Sequence, residues 1–273
     1  MKFQYLGTAA AEAIPAFFCA CDNCRRSREA GGRAVRTRSQ AIIDGQLLID
    51  FPGDTYMHMT ANRMDLLDVK ACLITHAHHD HLCAADFSTI RPGFSHVPEG
   101  WHLDMAGSAK VRDKIADTLE RVNFVDFKTV EAFETFTVCG YTVTALEARH
   151  DPNSGPLFYQ ISDGEKTVLY GHDTHYFCDS VWEYWEKNPP HFHMVSLDCT
   201  NACKPLTYIG HMGLEENATV RRKMLELGYA DENTVFVCNH FSHNGTHVVY
   251  DDFVPLAAAE GFLVSYDGMI ISL

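Results

Sequence analysis

Short apolar runs bounded by turn residues recur along the chain and predict a strand-rich protein. Ala41–Asp44 and Leu47–Asp50 flank Gly45-Gln46 as a β-hairpin. Val69–Thr75 is a short strand of buried type that leads into a polar cluster. Phe133–Val138 and Tyr141–Glu147 form a second hairpin across Cys139-Gly140, and Leu157–Ser162 and Thr167–Tyr170 a third across Asp163-Gly164. His193–Leu197, Thr234–Val237 and Phe262–Ser265 are further strands, with Met269–Ser272 pairing back across Asp267-Gly268. Helices fall between them. Ser180 and Glu183 form a capping-box pair that opens Val181–Lys187, which Pro189-Pro190 ends. Ser108 caps a helix running to about Arg121, and Gly213 and Gly228 enclose another, with Gly228 as its stop. No internal repeat, low-complexity tract or linker interrupts this order. The pattern predicts one α/β (α+β) domain over residues 1–273, made of stacked sheets covered by helices.

Composition narrows the function. A chain of 273 residues can bury one large core. Lys+Arg number 22 against 36 Asp+Glu, a formal charge of −14, which argues against a broad nucleic-acid surface. It does not oppose a small phosphate-bearing substrate, because bound cations can supply positive charge locally. The Ala-rich start, Met1 to Cys24, lacks the form of an export signal: Glu12 and Pro15 break it and only Lys2 stands as a basic leader. No run approaches the ~18 apolar residues of a membrane span. Of the 10 cysteines, Cys19, Cys21 and Cys24 crowd together, which suits a metal site in a reducing cytoplasm better than a disulfide framework.

The 16 histidines carry the chemistry. In Thr75-His76-Ala77-His78-His79-Asp80-His81, His76 and His78 alternate on an extended loop and can approach one metal from the same side. Asp80 and His81 offer an oxygen and a nitrogen to a second. Imidazole and carboxylate suit zinc, manganese or iron as divalent ions. The alternative is a solvated polar loop, but H-x-H-x-D-H arises by chance in only about a few per thousand such chains. His150, Asp173 and His240 each follow a predicted strand and are candidates for the remaining ligands. The C-x-C-x-x-C cluster leaves a tetrahedral zinc one ligand short; His243 is the better fourth ligand and His247 the weaker, the alternative being three reduced cysteines in a loop.

This constellation resembles the metallo-β-lactamase superfamily, and the resemblance implies a four-layer αββα sandwich. By motif position His76, His78 and His150 would hold one ion, and Asp80, His81 and His240 the other, with Asp173 bridging. His81 directs the resemblance to the phosphodiesterase and thioesterase branches. Gly7-Thr8, the cysteines after Ile14-Pro15, His240-x-x-His243 and Tyr266-Asp267-Gly268-Met269 together resemble the PhnP-type phosphodiesterases, which act on phosphoribosyl cyclic phosphate. That family implies a zinc-binding loop at about residues 15–30, with a structural zinc on Cys19, Cys21, Cys24 and His243, beside a dinuclear catalytic centre. His211, in Leu206–Gly213, takes the position of a catalytic histidine before a helix, and Asp80 would also orient the nucleophile. The expected activity is hydrolysis of a small phosphodiester, cyclic ones included, by a water activated between two divalent metals.

Competing functions are a thioesterase of the glyoxalase II type, a tRNase Z-like endonuclease, a di-iron redox protein and a metal-binding protein without catalysis. The cysteine site is not expected in the thioesterase, the charge opposes the nuclease, and the intact His78 opposes the di-iron branch. No membrane or nucleic-acid partner is expected. Cys72, Cys139 and Cys238 are expected as buried apolar groups. Trp182, Tyr184 and Trp185 are expected in the core, with a homodimer face as the alternative. Asp22 with Arg25, Arg26 and Arg28 reads as a solvated helix start, the alternative being phosphate contacts. The sequence assigns no role to His79, His172 or His175.

Overall fold

The computed structural model describes residues 1–205 and 210–273. Its strands are β1 (Lys2–Gly7), β2 (Gln40–Ile43), β3 (Leu47–Ile49), β4 (Ala71–Leu73), β5 (Leu103–Gly107), β6 (Val125–Thr129) and β7 (Thr135–Val138). There follow β8 (Tyr141–Glu147), β9 (Leu157–Ser162), β10 (Thr167–Gly171), β11 (Met194–Asp198), β12 (Val235–Asn239), β13 (Leu263–Val264) and β14 (Ile270–Ser272). They make two seven-stranded sheets, ordered β14-β1-β2-β3-β4-β5-β6 and β13-β12-β11-β10-β9-β8-β7. Both are mixed, since β3 through β6 run parallel, as do β10 through β13, while the remaining pairs are antiparallel.

Alternation along the strands builds the layers. Phe3, Tyr5, Ile43, Ile49 and Leu73 of the first sheet face Val143, Tyr159, Ile161, Tyr170 and Val237 of the second in one buried cluster. The outer face of the second sheet (Leu146, Phe158, Leu169, Val195, Phe236) is covered by α6 (Asp179–Lys187), α7 (Leu214–Glu226) and α8 (Tyr250–Ala259). Leu6, Ile42, Leu48, Cys72 and Met105 point outward from the first sheet onto α3 (Ala84–Phe87), α4 (Ala109–Lys114) and their neighbours. The remaining helices are α1 (Asp22–Ala30), α2 (Thr55–Asn62) and α5 (Ala116–Leu119). Burial of each large apolar side chain contributes ~1.5–3 kcal/mol, so this αββα sandwich is held chiefly by its three apolar layers. No helix among the described residues is long and apolar enough to cross a membrane.

The structure departs from the sequence pattern at several points. The first hairpin turns on Asp44-Gly45, both at positive φ (50° and 73°), one residue earlier than Gly45-Gln46. The helix from Ser108 does not run unbroken to Arg121: Ile115, buried beside Val111, leaves helical geometry at φ −115°, ψ 12° and separates α4 from α5. Ser180 does not cap α6; its hydroxyl donates to Glu147 Oε2 at 2.6 Å, and Cys178 holds the cap position. Met269–Ser272 does not pair back on Phe262–Ser265. β14 joins β1 in the other sheet, because the intervening turn is tied there by Gly268 N–H to Tyr5 O (2.8 Å) and by Thr8 and Thr37 donating to Asp267. Strands β1, β5 and β6 were not expected from the pattern. Cys72 and Cys238 are buried as expected, whereas Cys139 sits half-buried at a turn with φ 38°. Trp182 and Trp185 are core residues and Tyr184 packs on them half-buried.

Candidate metal centre

Strands β3, β4, β8, β10, β11 and β12 end on one edge of the sandwich, and the last residue of each or the loop after it supplies a polar side chain there. In order these are Asp50, residues 75–81, His150, Asp173, Asp198 and His240. The backbone must turn sharply to aim them inward: Asp50, Asp173 and His240 have φ of 68°, 49° and 63°. Non-glycine residues in this region are strained, and such strain concentrates at functional sites.

His76, His78 and His150 converge first. His76 Nε2 lies 3.0 Å from His78 Nδ1, which lies 3.1 Å from His150 Nε2. Their far nitrogens fix the tautomers. Thr75 donates its hydroxyl to Asp50 Oδ1 (2.9 Å) and so accepts from His76 Nδ1–H (3.0 Å). His150 Nδ1 meets the Gly210 carbonyl at 3.3 Å, and His78 Nε2 faces Asp151 Oδ2 at 3.4 Å. Each far nitrogen therefore carries the proton, and three lone pairs oppose one another at the centre. Burial, with His81 and His150 nearby, holds His76 well below the ordinary imidazole range; burial likewise lowers His150. His76 and His150 are thereby held neutral, the form that binds a metal.

Asp80, His81, Asp173 and His240 make the second group. His81 Nε2 is 2.5 Å from Asp173 Oδ2 and 3.3 Å from Asp80 Oδ2; His240 Nε2 is 3.0 Å from Asp173 Oδ2. His81 Nδ1 is bound to Asp50 Oδ2 at 2.7 Å, so in the neutral ring Nε2 presents a lone pair. Thr200 donates to the His240 carbonyl (2.8 Å) and accepts from His240 Nδ1 (2.8 Å), with the same consequence. His81 Nε2, Asp173 Oδ2 and His240 Nε2 are buried and make no hydrogen bond to any described residue. Two imidazole nitrogens this close to one carboxylate oxygen need a shared proton or a bound cation between them. Burial opposes charge on His81, but Asp173, Asp50 and Asp80 outweigh it and raise its pKa; burial opposes charge on Asp173, but His240 and His81 hold that carboxylate well below its usual range. The donor set of imidazole nitrogens and carboxylate oxygens fits borderline divalent ions. Asp173 also reaches the first group, its Oδ1 lying 3.8 Å from His150 Nε2.

His211 stands beside these groups, its Nδ1 2.9 Å from Asp198 Oδ2 and 3.5 Å from Asp173 Oδ1. Burial alone would lower its pKa, but Asp198 and then Asp173 raise it to about 9. Residues 206–209 of the motif that precedes it lie outside the described residues. Sequence reasoning passed over Asp50 and Asp198, the fully buried carboxylates that orient the histidines. Asp198 also takes the backbone N–H groups of Asp173 (3.0 Å), Thr200 (3.0 Å) and Met212 (3.1 Å). Their signal was an aspartate directly after an apolar strand, as at Leu47–Asp50 and Met194–Asp198, which the Asp173 position shares.

The cysteine cluster forms a separate group. His243 Nδ1 lies 3.5 Å from Cys19 Sγ and 3.4 Å from Cys21 Sγ, and Cys24 joins them within metal-ligand reach. Burial pushes the Cys24 thiol up to about 12, while the Cys21 backbone and side chain draw Cys19 down. Three sulfurs and one nitrogen suit a closed tetrahedral zinc. His247 is exposed and outside the cluster. Arg25 pairs with Asp22 and Glu29, and Arg26 with Asp252, while Arg28 reaches the Cys19 carbonyl, so these arginines brace α1. His79 is exposed. His172 is buried beneath the centre, on Ser196 (2.7 Å) and Asn239 (3.2 Å). His175 is half-buried, and its backbone N–H binds the Arg149 carbonyl.

A cavity of about 390 Å³ opens over the metal groups, lined among others by Glu12, His78, Asp80, Asp173, Lys204 and His211. Comparison with known proteins agrees with this architecture. A family model described as "Beta-lactamase superfamily domain" matches residues 47–226. The fold is similar to a diphosphatase from the PhnP family (TM-score 0.76, 17% identity, covering 100% of this chain and 97% of that one). It is also similar to zinc-bound PqqB from Methylobacterium extorquens (0.71, 18%, 100% and 100%). Human tRNase Z, short form, is another similar structure (0.66, 16%, 100% and 99%). No curated protein matches the sequence.

Proposed function

The chain belongs to the beta-lactamase superfamily domain family, and from that membership we propose that this metal-dependent hydrolase cleaves small phosphodiesters, cyclic ones included, at a dinuclear centre. The observation that carries the reading is the pair of opposed lone-pair clusters joined through Asp173, with the cationic His211 alongside. His76, His78 and His150 would hold one ion and Asp80, His81 and His240 the other, with Asp173 between them. When bound, two divalent cations lower the pKa of a water toward neutrality and offset charge on the phosphate oxygens.

The chain's own residues supply the rest. Asp50, Thr75 and Thr200 fix the imidazole tautomers, so the ligand nitrogens need no reorganisation. Asp80, on the pocket wall, orients the attacking water in line with phosphorus. As the new P–O bond forms, the bond to the departing oxygen breaks, and that oxygen takes the proton of His211. Asp198 keeps this imidazole protonated near neutral pH. A phosphoryl group, more than a thioester carbonyl, makes use of this cationic wall, to which Lys204 adds a second positive charge. The fold neighbour described as a diphosphatase supports phosphorus chemistry, and the net charge of −14 disfavours an RNA substrate. Protein reconstituted with manganese or zinc should hydrolyse bis(p-nitrophenyl) phosphate in preference to S-lactoylglutathione. Turnover of the thioester alone would replace this reading with the thioesterase one.

A further inference from the structure

Glu12 lies in the loop between β1 and the cysteine cluster and lines the cavity over the metal groups. Its contacts are lopsided. Oε1 accepts from Ser242 Oγ at 2.6 Å and from Asn244 Nδ2 at 3.1 Å, and it lies 3.7 Å from His243 Nε2. Oε2 makes no hydrogen bond to any described residue, and the side chain is 32% exposed. The anchoring residues belong to one short segment, which also carries His240 of the catalytic groups and His243 of the cysteine cluster. The carboxylate is therefore held in place through one oxygen while the other is spare.

A carboxylate in a pocket for an anionic ester repels the phosphoryl group. At ~7 Å and an effective dielectric of ~20 the repulsion is ~2 kcal/mol. The arrangement is favourable when the spare oxygen meets a hydrogen-bond donor on another part of the ligand. We propose that Glu12 is a specificity-determining residue whose Oε2 accepts a hydrogen bond from a hydroxyl group on the organic portion of the substrate. The inference rests on the phosphodiesterase reading for the class of substrate. Two positions along the chain from Glu12, Ala10 also lines the cavity, and its backbone N–H binds the Phe241 carbonyl at 2.9 Å. The loop thus docks on the 240–244 segment at both Ala10 and Glu12, which fixes the spare oxygen relative to the metal groups.

Glu12→Gln separates this role from bracing. The amide keeps an acceptor for Ser242 and Asn244 but turns the spare oxygen into a donor. Two esters are compared on the metal-reconstituted full chain. One is bis(p-nitrophenyl) phosphate, which has no donor; the other is the p-nitrophenyl ester of thymidine 5′-phosphate, which has a free hydroxyl. The ratio of kcat/KM for the hydroxyl-bearing ester over the other should fall at least about tenfold in Glu12→Gln, mainly through KM, the size expected for one charged hydrogen bond. A ratio within about twofold of the wild type's overturns the proposal. Calorimetry supplies a readout without turnover. The wild type should bind glycerol 3-phosphate more tightly than methyl phosphate, and Glu12→Gln should lose that preference; equal preference in both proteins overturns the proposal. If the wild type hydrolyses neither ester, the phosphodiesterase reading fails, and the calorimetric comparison alone decides the role of Glu12.

Discussion

Replacing Asp50 by asparagine tests whether the metal groups depend on imposed histidine tautomers. Asp50 is fully buried; Oδ1 accepts from the Thr75 N–H (2.8 Å) and hydroxyl (2.9 Å), and Oδ2 from His81 Nδ1 (2.7 Å). Asparagine can keep its oxygen on Thr75, which leaves an NH₂ group facing His81 Nδ1. His81 must then accept there and carry its proton on Nε2, pointing at Asp173 and Asp80 where a cation should sit. Loss of one charged buried hydrogen bond costs ~1.5–3 kcal/mol. Loss of an outer partner of a metal-binding histidine typically costs ~10–100-fold in affinity. These figures agree, since tenfold is ~1.4 kcal/mol. Titration of metal-free protein, followed by calorimetry and elemental analysis, should show one catalytic ion weakened by that factor. Ions at the His76 group and the cysteine cluster should be retained, with circular dichroism confirming the fold. Wild-type affinity for every ion would refute the tautomer argument.

Other outcomes follow from the same geometry. His211→Ala should keep full metal content but lose ~10²–10⁴-fold in kcat toward phosphodiesters, and its pH–rate profile should lose the alkaline fall caused by His211 deprotonation. Unchanged turnover would remove His211 from the chemistry. Cys21→Ser should lower zinc content by about one ion per chain and the melting temperature with it, because a structural zinc is coupled to folding. Normal values of both would contradict that role. Stripping metal with a strong chelator should abolish hydrolysis and remove ~3 kcal/mol of stability for each ion lost, relative to protein at ~100 times that site's dissociation constant, read as a drop in melting temperature. Re-addition of manganese or zinc should restore both, and a chelated protein as stable as the loaded one would argue against metal held by the folded state.

What could be read from the sequence was what is local. His76, His78, Asp80 and His81 announce themselves because candidate ligands adjacent on one loop leave a short spacing pattern, as do Cys19, Cys21 and Cys24. His150, Asp173 and His240 were reachable because each follows a clear strand. Asp50 and Asp198 were not, since a single aspartate after a strand looks the same whether it orients a histidine or faces water. Only the meeting of β3 with β4, and of β11 with β10 and β12, brings them beneath the clustered histidines. The hairpins that form hold their partners through short turns, whereas β14 was misassigned because its choice between sheets is made by Tyr5 and Asp267, far from it in sequence or outside the strand. Strand β5 (Leu-Asp-Met-Ala-Gly) carries little strand propensity of its own and is fixed by its parallel neighbours β4 and β6. Glu12 likewise has no local signature, because its anchors are the distant Ser242 and Asn244.

The most direct test of the central claim is anomalous diffraction from crystals of the metal-loaded protein, collected on both sides of the zinc or manganese edge. Two peaks should lie about 3.5–4 Å apart between His76, His78, His150 and Asp80, His81, His240, with Asp173 shared, and a third among Cys19, Cys21, Cys24 and His243. A loaded and active protein whose peaks lie elsewhere, or with a single ion at the histidine-rich edge, would contradict the dinuclear account.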